Sequence, residues 1–234
     1  MRAKGAALLF DLDGTLIDSD AKHLAAFQRI FASYGITVDQ ESYNASIHGA
    51  SNELIGQLFL PHLSPEAQRA ALDEKEAAYR ADLSGVERIR GTVELLDFAE
   101  RLGMGVAVVT NAPRANVDAV LTVLGLAARL PIAVIGSELE RSKPDPLPYL
   151  RALELTQAAA DRSVAFEDSP TGVRSAAAAG LAVVGMTTSL DEASLIEAGA
   201  TFAAADFAHP RIRDLIETRL QAAAVTSRSA SQEA

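Results

Sequence analysis

Two carboxylates separated by one residue, Asp11 and Asp13 in the run Phe10-Asp11-Leu12-Asp13-Gly14-Thr15, follow directly on the apolar stretch 6–10. An apolar run of that length reads as a buried strand. Residues two apart in a strand share a face, so both carboxylates can converge on one point as the chain enters the turn at Gly14. Such a pair suits phosphoryl transfer, which needs an in-line nucleophile, neutralisation of the equatorial oxygens and a proton for the leaving alkoxide. Asp11, at the strand end, is the better-placed nucleophile and would form an aspartyl-phosphate; Asp13 can donate to the leaving oxygen and then take a proton from water. The plain alternative is an acidic turn in which Asp13-Gly14 only reverses the chain.

Further polar clusters fall in comparable places. Apolar residues 105–109 lead into Thr110-Asn111, Lys143 stands before Pro144 in a loop, and residues 163–166 lead into Glu167-Asp168-Ser169-Pro170. In open parallel α/β sheets, ligands bind past the carboxyl ends of the strands, where these clusters would lie. Asp11, Asp168 and Glu167 offer hard oxygen ligands suited to Mg²⁺, although Asp168 or Ser169 could instead cap a helix opening at Pro170. Thr110 and Asn111 precede Pro113, which suits a helix's first turn, so hydroxyl, amide and free backbone N–H groups would face one phosphate; Asn111 could also cap that helix.

The elements that must hold these residues alternate from about residue 93 onward. Helix-like runs at 92–102, 116–124, 146–155, 172–179 and 211–220 interleave with strand-like runs at 105–109, 132–135, 163–166 and 181–186, with 200–203 as an edge strand. This is the signature of a parallel sheet with helices on both faces. Residues 18–90 break the alternation: 22–34, 43–59 and 65–83 have helical spacing and no strand stands between them. The expected fold is α/β, a Rossmann-like parallel-sheet core of residues 1–17 and 91–221 with an inserted α-helical cap, 18–90, and a flexible tail, 222–234.

Composition narrows the function classes. The 234 residues, 49% of them hydrophobic, suffice for a sizeable core. There is no cysteine, hence no disulfide framework and no thiolate metal site, and no apolar run reaches the ~18 residues of a membrane span. A net charge of −10 argues against nucleic acid as a partner, while leaving room for an anionic small molecule beside a cation and Lys143. A cleaved leader would remove the strand that carries Asp11, so a cytoplasmic location is expected.

In order, Asp11-Leu12-Asp13-Gly14-Thr15, Thr110-Asn111, Lys143-Pro144 and Glu167-Asp168 resemble the four motifs of the haloacid dehalogenase superfamily, in its phosphatase and phosphomutase branch. The resemblance spans residues 6–186 and implies the same nucleophile and acid/base roles for Asp11 and Asp13. It also implies a backbone-carbonyl metal ligand at Asp13, a phosphoryl- and nucleophile-contacting role for Lys143, and a helical cap that closes over the site. His23 shares the spacing of a cap histidine of β-phosphoglucomutase, and His48-Gly49-Ala50-Ser51-Asn52 resembles its substrate-specificity loop, although that enzyme has lysine where His48 stands and arginine where Asn52 stands.

Asn52 cannot form the bidentate pair with which arginine holds a second phosphate, so hydrolysis of a small phosphorylated metabolite, a sugar phosphate foremost, is expected over mutase chemistry. A β-phosphoglucomutase-type phosphomutase is the first alternative and a non-catalytic phosphometabolite-binding protein the second. Dehalogenation fits poorly with Asp13 and Asp168. Phosphonate hydrolysis would need a cap lysine, and Lys22 and Lys75 both lie outside the specificity loop.

Overall fold

The structure is a computed structural model that describes residues 3–230. Six strands form one sheet: β1 (Ala7–Phe10), β2 (Gly105–Thr110), β3 (Ala133–Ile135), β4 (Val164–Glu167), β5 (Ala182–Met186) and β6 (Phe202–Ala204). Their spatial order is β3-β2-β1-β4-β5-β6 and every pairing is parallel. That is the doubly wound order, in which the topological switch lies between the first and fourth strands. Asp11 follows β1, while Glu167 ends β4 and Asp168 follows it, so this acid cluster straddles the switch.

Strand alternation divides the core into two apolar layers. Leu8, Phe10, Val108, Phe166 and Val184 face α5 (Thr92–Leu102), α6 (Arg114–Val123) and α10 (Pro210–Ala230). Leu9, Val109, Ala165 and Val183 face α7 (Leu147–Thr156), α8 (Pro170–Ala178) and α9 (Glu192–Ala198). With both faces covered, the strands are near-continuous apolar runs, as a parallel sheet requires. The Rossmann-like parallel-sheet expectation is met.

Between β1 and α5 the chain forms α1 (Asp20–Ala32), α2 (Gln40–Ser46), α3 (Asn52–Phe59) and α4 (Pro65–Arg80). This segment has an apolar cluster of its own, including Phe27, Phe31, Tyr43, Ile55, Leu60 and Leu72. Its two connections to the rest of the chain lie side by side, with Ile17 bridged antiparallel to Arg88 and Ile89 N donating to Leu16 O at 3.1 Å.

Local differences from the sequence reading have identifiable causes. The run 43–59 is two helices, because Gly49 adopts a positive φ of 72° and Ser51 starts α3 by accepting a hydrogen bond from Leu54 N. The helix α9 was not expected; Asp191 caps it through Ser194 N. The last helix, read as 211–220, is longer than expected: α10 runs from Pro210 through Ala230, and residues 231–234 lie outside the described residues.

Candidate active site

The site is built where three strand ends meet the helical segment. Asp11 extends the central ladder by one hydrogen bond, its N–H donating to Phe166 O at 3.0 Å. The next turn is fixed by glycine: Gly14 has φ of 72°, its N–H donates to Ile17 O at 2.7 Å, and a side chain there would overlap the Asp168 carboxylate. Only glycine lets the loop after β1 pass this close to the loop after β4.

Lys143 lies at the centre of the charges. Its Nζ donates to Asp11 Oδ1 at 2.6 Å, Glu167 Oε1 at 2.5 Å and Val109 O at 2.6 Å, so all three ammonium protons are used in a buried site. Tyr149 OH adds a donor to Glu167 Oε1. Carboxylate oxygens of Asp11, Glu167 and Asp168 lie within 4.8 Å of one another. Burial pushes the Asp11 carboxyl well up despite Lys143, with Glu167 and Asp168 adding to the rise. The same burial, opposed by Lys143 and reinforced by Asp168, raises Glu167.

Three buried acids are met by Lys143 and, at Asp168, by His48, and among the described residues Glu167 Oε2 is buried without a hydrogen-bond partner. That donor set, all hard oxygen and deficient in positive charge, fits a divalent cation such as Mg²⁺. The Asp13 carboxylate stands outside this cluster among the described residues. Ser169 supplies the cap of α8 by accepting from Gly172 N at 3.0 Å, which leaves the Asp168 carboxylate for the site.

Asp13 has a different environment. Its Oδ1 accepts from Ser19 Oγ at 2.7 Å and Tyr79 OH at 3.0 Å, and His23 Nε2 stands 3.1 Å away without hydrogen-bond alignment. Burial alone would raise its pKa, but His23, Ser19 and Tyr79 together hold it down at about 2. Lys75 Nζ lies 3.0 Å from His23 Nδ1, so the ring stands between the Lys75 ammonium and the Asp13 carboxylate. The His23 ring stacks on Tyr79 at 3.8 Å between centroids.

Thr110 is buried at the end of β2, its Oγ1 accepting from Ala112 N at 3.0 Å. Asn111 does not cap α6, which begins after Pro113 with no side-chain cap. Its amide instead donates to Gly49 O at 3.1 Å and Lys143 O at 3.3 Å, while Oδ1 accepts from Lys143 N at 3.2 Å. Asn111 thereby ties together the helical segment, the loop after β2 and the lysine loop.

All the residues singled out from sequence converge on one cavity except Glu167, which lies beneath its wall. His48 Nε2 is 2.8 Å from Asp168 Oδ2, and although burial would lower its pKa, Asp168, Asp20 and Asp11 raise it to about 9. Asn52 Nδ2 donates to Glu76 Oε1 at 2.9 Å.

Lys75 lies outside the specificity loop and lines the cavity, where Glu76 engages it at 3.0 Å and burial holds its pKa below the usual lysine value. Sequence reasoning missed Ser19, Glu76, Tyr79, Asn116 and Tyr149. A signal existed for two of these, Glu76 and Tyr79: with Ala71, Leu72 and Lys75 they share the buried stripe of α4, so two charges occupy a face that spacing assigns to the core.

A doubly wound sheet with an acid pair, a buried lysine and a second acid cluster at its switch point defines a hydrolase class. Residues 8–186 match the haloacid dehalogenase-like hydrolases, and the chain belongs to that family. The validoxylamine A 7'-phosphate phosphatase of Streptomyces hygroscopicus subsp. limoneus is 32% identical over 194 residues, covering 81% of this chain and 89% of that protein. Hexitol phosphatase A of Escherichia coli (strain K12) is 31% identical, covering 84% of this chain and 89% of that one. A CbbY mutant from Rhodobacter sphaeroides, solved with xylulose-(1,5)bisphosphate, superposes with a TM-score of 0.75 at 28% identity, covering 87% of this chain and 95% of its own.

Proposed function

We propose that the chain is a Mg²⁺-dependent phosphatase that hydrolyses a small phosphorylated metabolite, a sugar phosphate by class, through an aspartyl-phosphate on Asp11. The observation that carries this reading is the unequal treatment of two adjacent carboxylates. Asp11 sits against Lys143 and the acid cluster, whereas Asp13 is held by hydroxyl donors and faces the helical segment. Two carboxylates with divergent environments are the pattern of a nucleophile beside an acid/base partner. The relatives named as a validoxylamine A 7'-phosphate phosphatase and a hexitol phosphatase support the substrate class.

In this mechanism an Asp11 oxygen attacks phosphorus as the bond to the leaving alkoxide breaks in line with it. Lys143 fixes the rotamer of Asp11 and places positive charge beside the transferring oxygens. The Thr110 hydroxyl and the Asn111 backbone N–H would hold the phosphate. Asp13 gives a proton to the leaving oxygen and, in the second half, takes one from the water that cleaves the aspartyl-phosphate. Its low pKa here leaves it ionised and able to accept; negative charge arriving beside it with the ester raises its proton affinity, which both the acid and the base step require. Mg²⁺, held by Asp11 and Asp168 with Glu167 behind them and the Asp13 carbonyl that family resemblance implies, would neutralise phosphoryl charge.

Residues 18–90 act as a cap in this reading, closing through Asn111–Gly49, Tyr79–Asp13 and His48–Asp168 to exclude water. His23, His48, Gly49 and Asn52 are its substrate-facing positions. Against a phosphomutase stands the commitment of Asn52 to Glu76, which leaves no arginine-like clamp for a second phosphate.

Phosphate release from p-nitrophenyl phosphate and a panel of sugar phosphates, with Mg²⁺ and with EDTA, tests the proposal. Metal-dependent release is expected. Absence of turnover across the panel would leave a binding protein, and EDTA-resistant turnover would remove the metal from the mechanism.

A further inference from the structure

The helical wall of the cavity buries a charge that the phosphoryl chemistry does not use. Glu76 is 4% exposed and lines the cavity. Its Oε1 accepts from Asn52 Nδ2 at 2.9 Å and Lys75 Nζ at 3.0 Å, and Oε2 accepts from Asn116 Nδ2 at 2.7 Å. The donors are themselves held: Lys75 lies 4.2 Å above the Phe27 ring, and Asn116 Oδ1 accepts from Arg80 Nη1 at 2.7 Å. Burial would favour the neutral acid, but Lys75, His23 and Asn116 keep Glu76 below the usual carboxylate range. It is a fixed negative charge in the wall.

The positive charge on that side is already matched. Lys75 is paired with Glu76, and Asp20, which accepts from Tyr43 OH at 3.1 Å, adds another carboxylate to the lining. Lys143 is spent on Asp11 and Glu167, and His48, its pKa raised to about 9, is paired with Asp168 at 2.8 Å. A leaving group bearing its own phosphate or carboxylate would have to share Lys75 with Glu76 in a site shielded from water, where like charges side by side are costly. A hydroxyl meets no such penalty. Oε2 has one protein donor, and a carboxylate oxygen accepts two, so a sugar or polyol hydroxyl can donate to it.

We propose that Glu76 is a specificity-determining residue that restricts the leaving group to uncharged polyhydroxy compounds and rejects esters carrying a second anionic group. The inference rests on the phosphatase reading and goes beyond it by fixing the charge of the part of the substrate that faces the helical segment. Selection here works by an unfavourable contact with the wrong ester as much as by a favourable one with the right ester.

The test compares kcat/KM for glucitol 6-phosphate and fructose 1,6-bisphosphate, with p-nitrophenyl phosphate as a third substrate. The wild type is expected to prefer the glucitol ester. Glu76→Gln, which removes the charge and keeps the size, should move the ratio of the two constants toward the bisphosphate by roughly tenfold or more, the scale of one charge-assisted contact. Asn52→Arg adds a positive charge to the same wall from a half-buried position and should move the ratio in the same direction, so the outcome does not depend on one variant folding. Equal efficiency on both esters in the wild type, or ratios that shift less than about twofold in both variants, would overturn the inference while leaving the phosphatase reading intact. No phosphate release from any of the three esters would overturn both.

Discussion

Replacing Lys143 by methionine tests whether the acid cluster is an ionised set awaiting positive charge. The ammonium contacts Asp11 at 2.6 Å and Glu167 at 2.5 Å, with both carboxylates buried. Removing one partner of a buried pair typically costs about 3–5 kcal/mol, because the remaining charge is left uncompensated. For a chain of this size each kcal/mol lowers Tm by about 2–4 °C, so a fall of about 6–20 °C is expected.

Adding Glu167→Gln to the variant removes one uncompensated charge and should recover part of the loss, giving a coupling that a thermal-melt double-mutant cycle can measure. Asp11 and Glu167 are already raised above their unfolded values, and losing the lysine raises them further. Acids raised on folding bind more protons in the native state, so their contribution to stability falls as pH rises through the raised pKa values. The deficit of Lys143→Met should therefore narrow at pH 5.5 relative to pH 8. A Tm within about 2 °C of wild type, or a deficit that widens on acidification, would refute an ionised cluster held by Lys143.

Asp11→Asn should abolish turnover while preserving the melting curve, since an amide cannot attack phosphorus; wild-type phosphate release from it would exclude the covalent route. Tyr79→Phe removes one donor from Asp13 but keeps the ring stacked on His23, so kcat should fall about 10–100-fold with little change in Tm, and an unchanged kcat would detach Tyr79 from catalysis. With a hexose bisphosphate primer, ³¹P NMR should show inorganic phosphate accumulating from β-glucose 1-phosphate and negligible glucose 6-phosphate. Conversion faster than release would replace the phosphatase reading with the mutase one.

The parts of the site that could be read from sequence are those fixed by local pattern. Asp11, Asp13, Thr110 and Asp168 follow or end apolar strand runs, so strand periodicity alone carries them to one edge of the sheet. Lys143 could be placed only in a loop; its reach into the acid cluster is a product of packing. Glu76 and Tyr79 were hidden for the opposite reason. Their spacing puts them on the core stripe of 65–83, but charged residues ordinarily read as solvated whatever their spacing; burial of Lys75 and Glu76 follows from the packing of α4 against α1 and α6. The division of 43–59 into two helices was concealed by its apolar spacing, which continues across the break that Gly49 makes. The extension of α10 to Ala230 joins small and polar residues that carry no periodic signal of their own.

The separate apolar cluster of the helical segment has a consequence for how such a chain diversifies. Phe27, Phe31, Tyr43, Ile55 and Leu72 hold residues 20–80 together from within, while Ala26 and Tyr79 pack into the sheet-side layer and a few polar pairs complete the seam. Recombination could thus exchange the whole insert as one contiguous piece of gene. A transplanted insert would need partners for Asn111, Asn116 and Asp168 and a hydroxyl for Asp13. Leaving-group preference and phosphoryl chemistry would then be inherited separately, and a new substrate could be acquired without a change in the strands that break the bond.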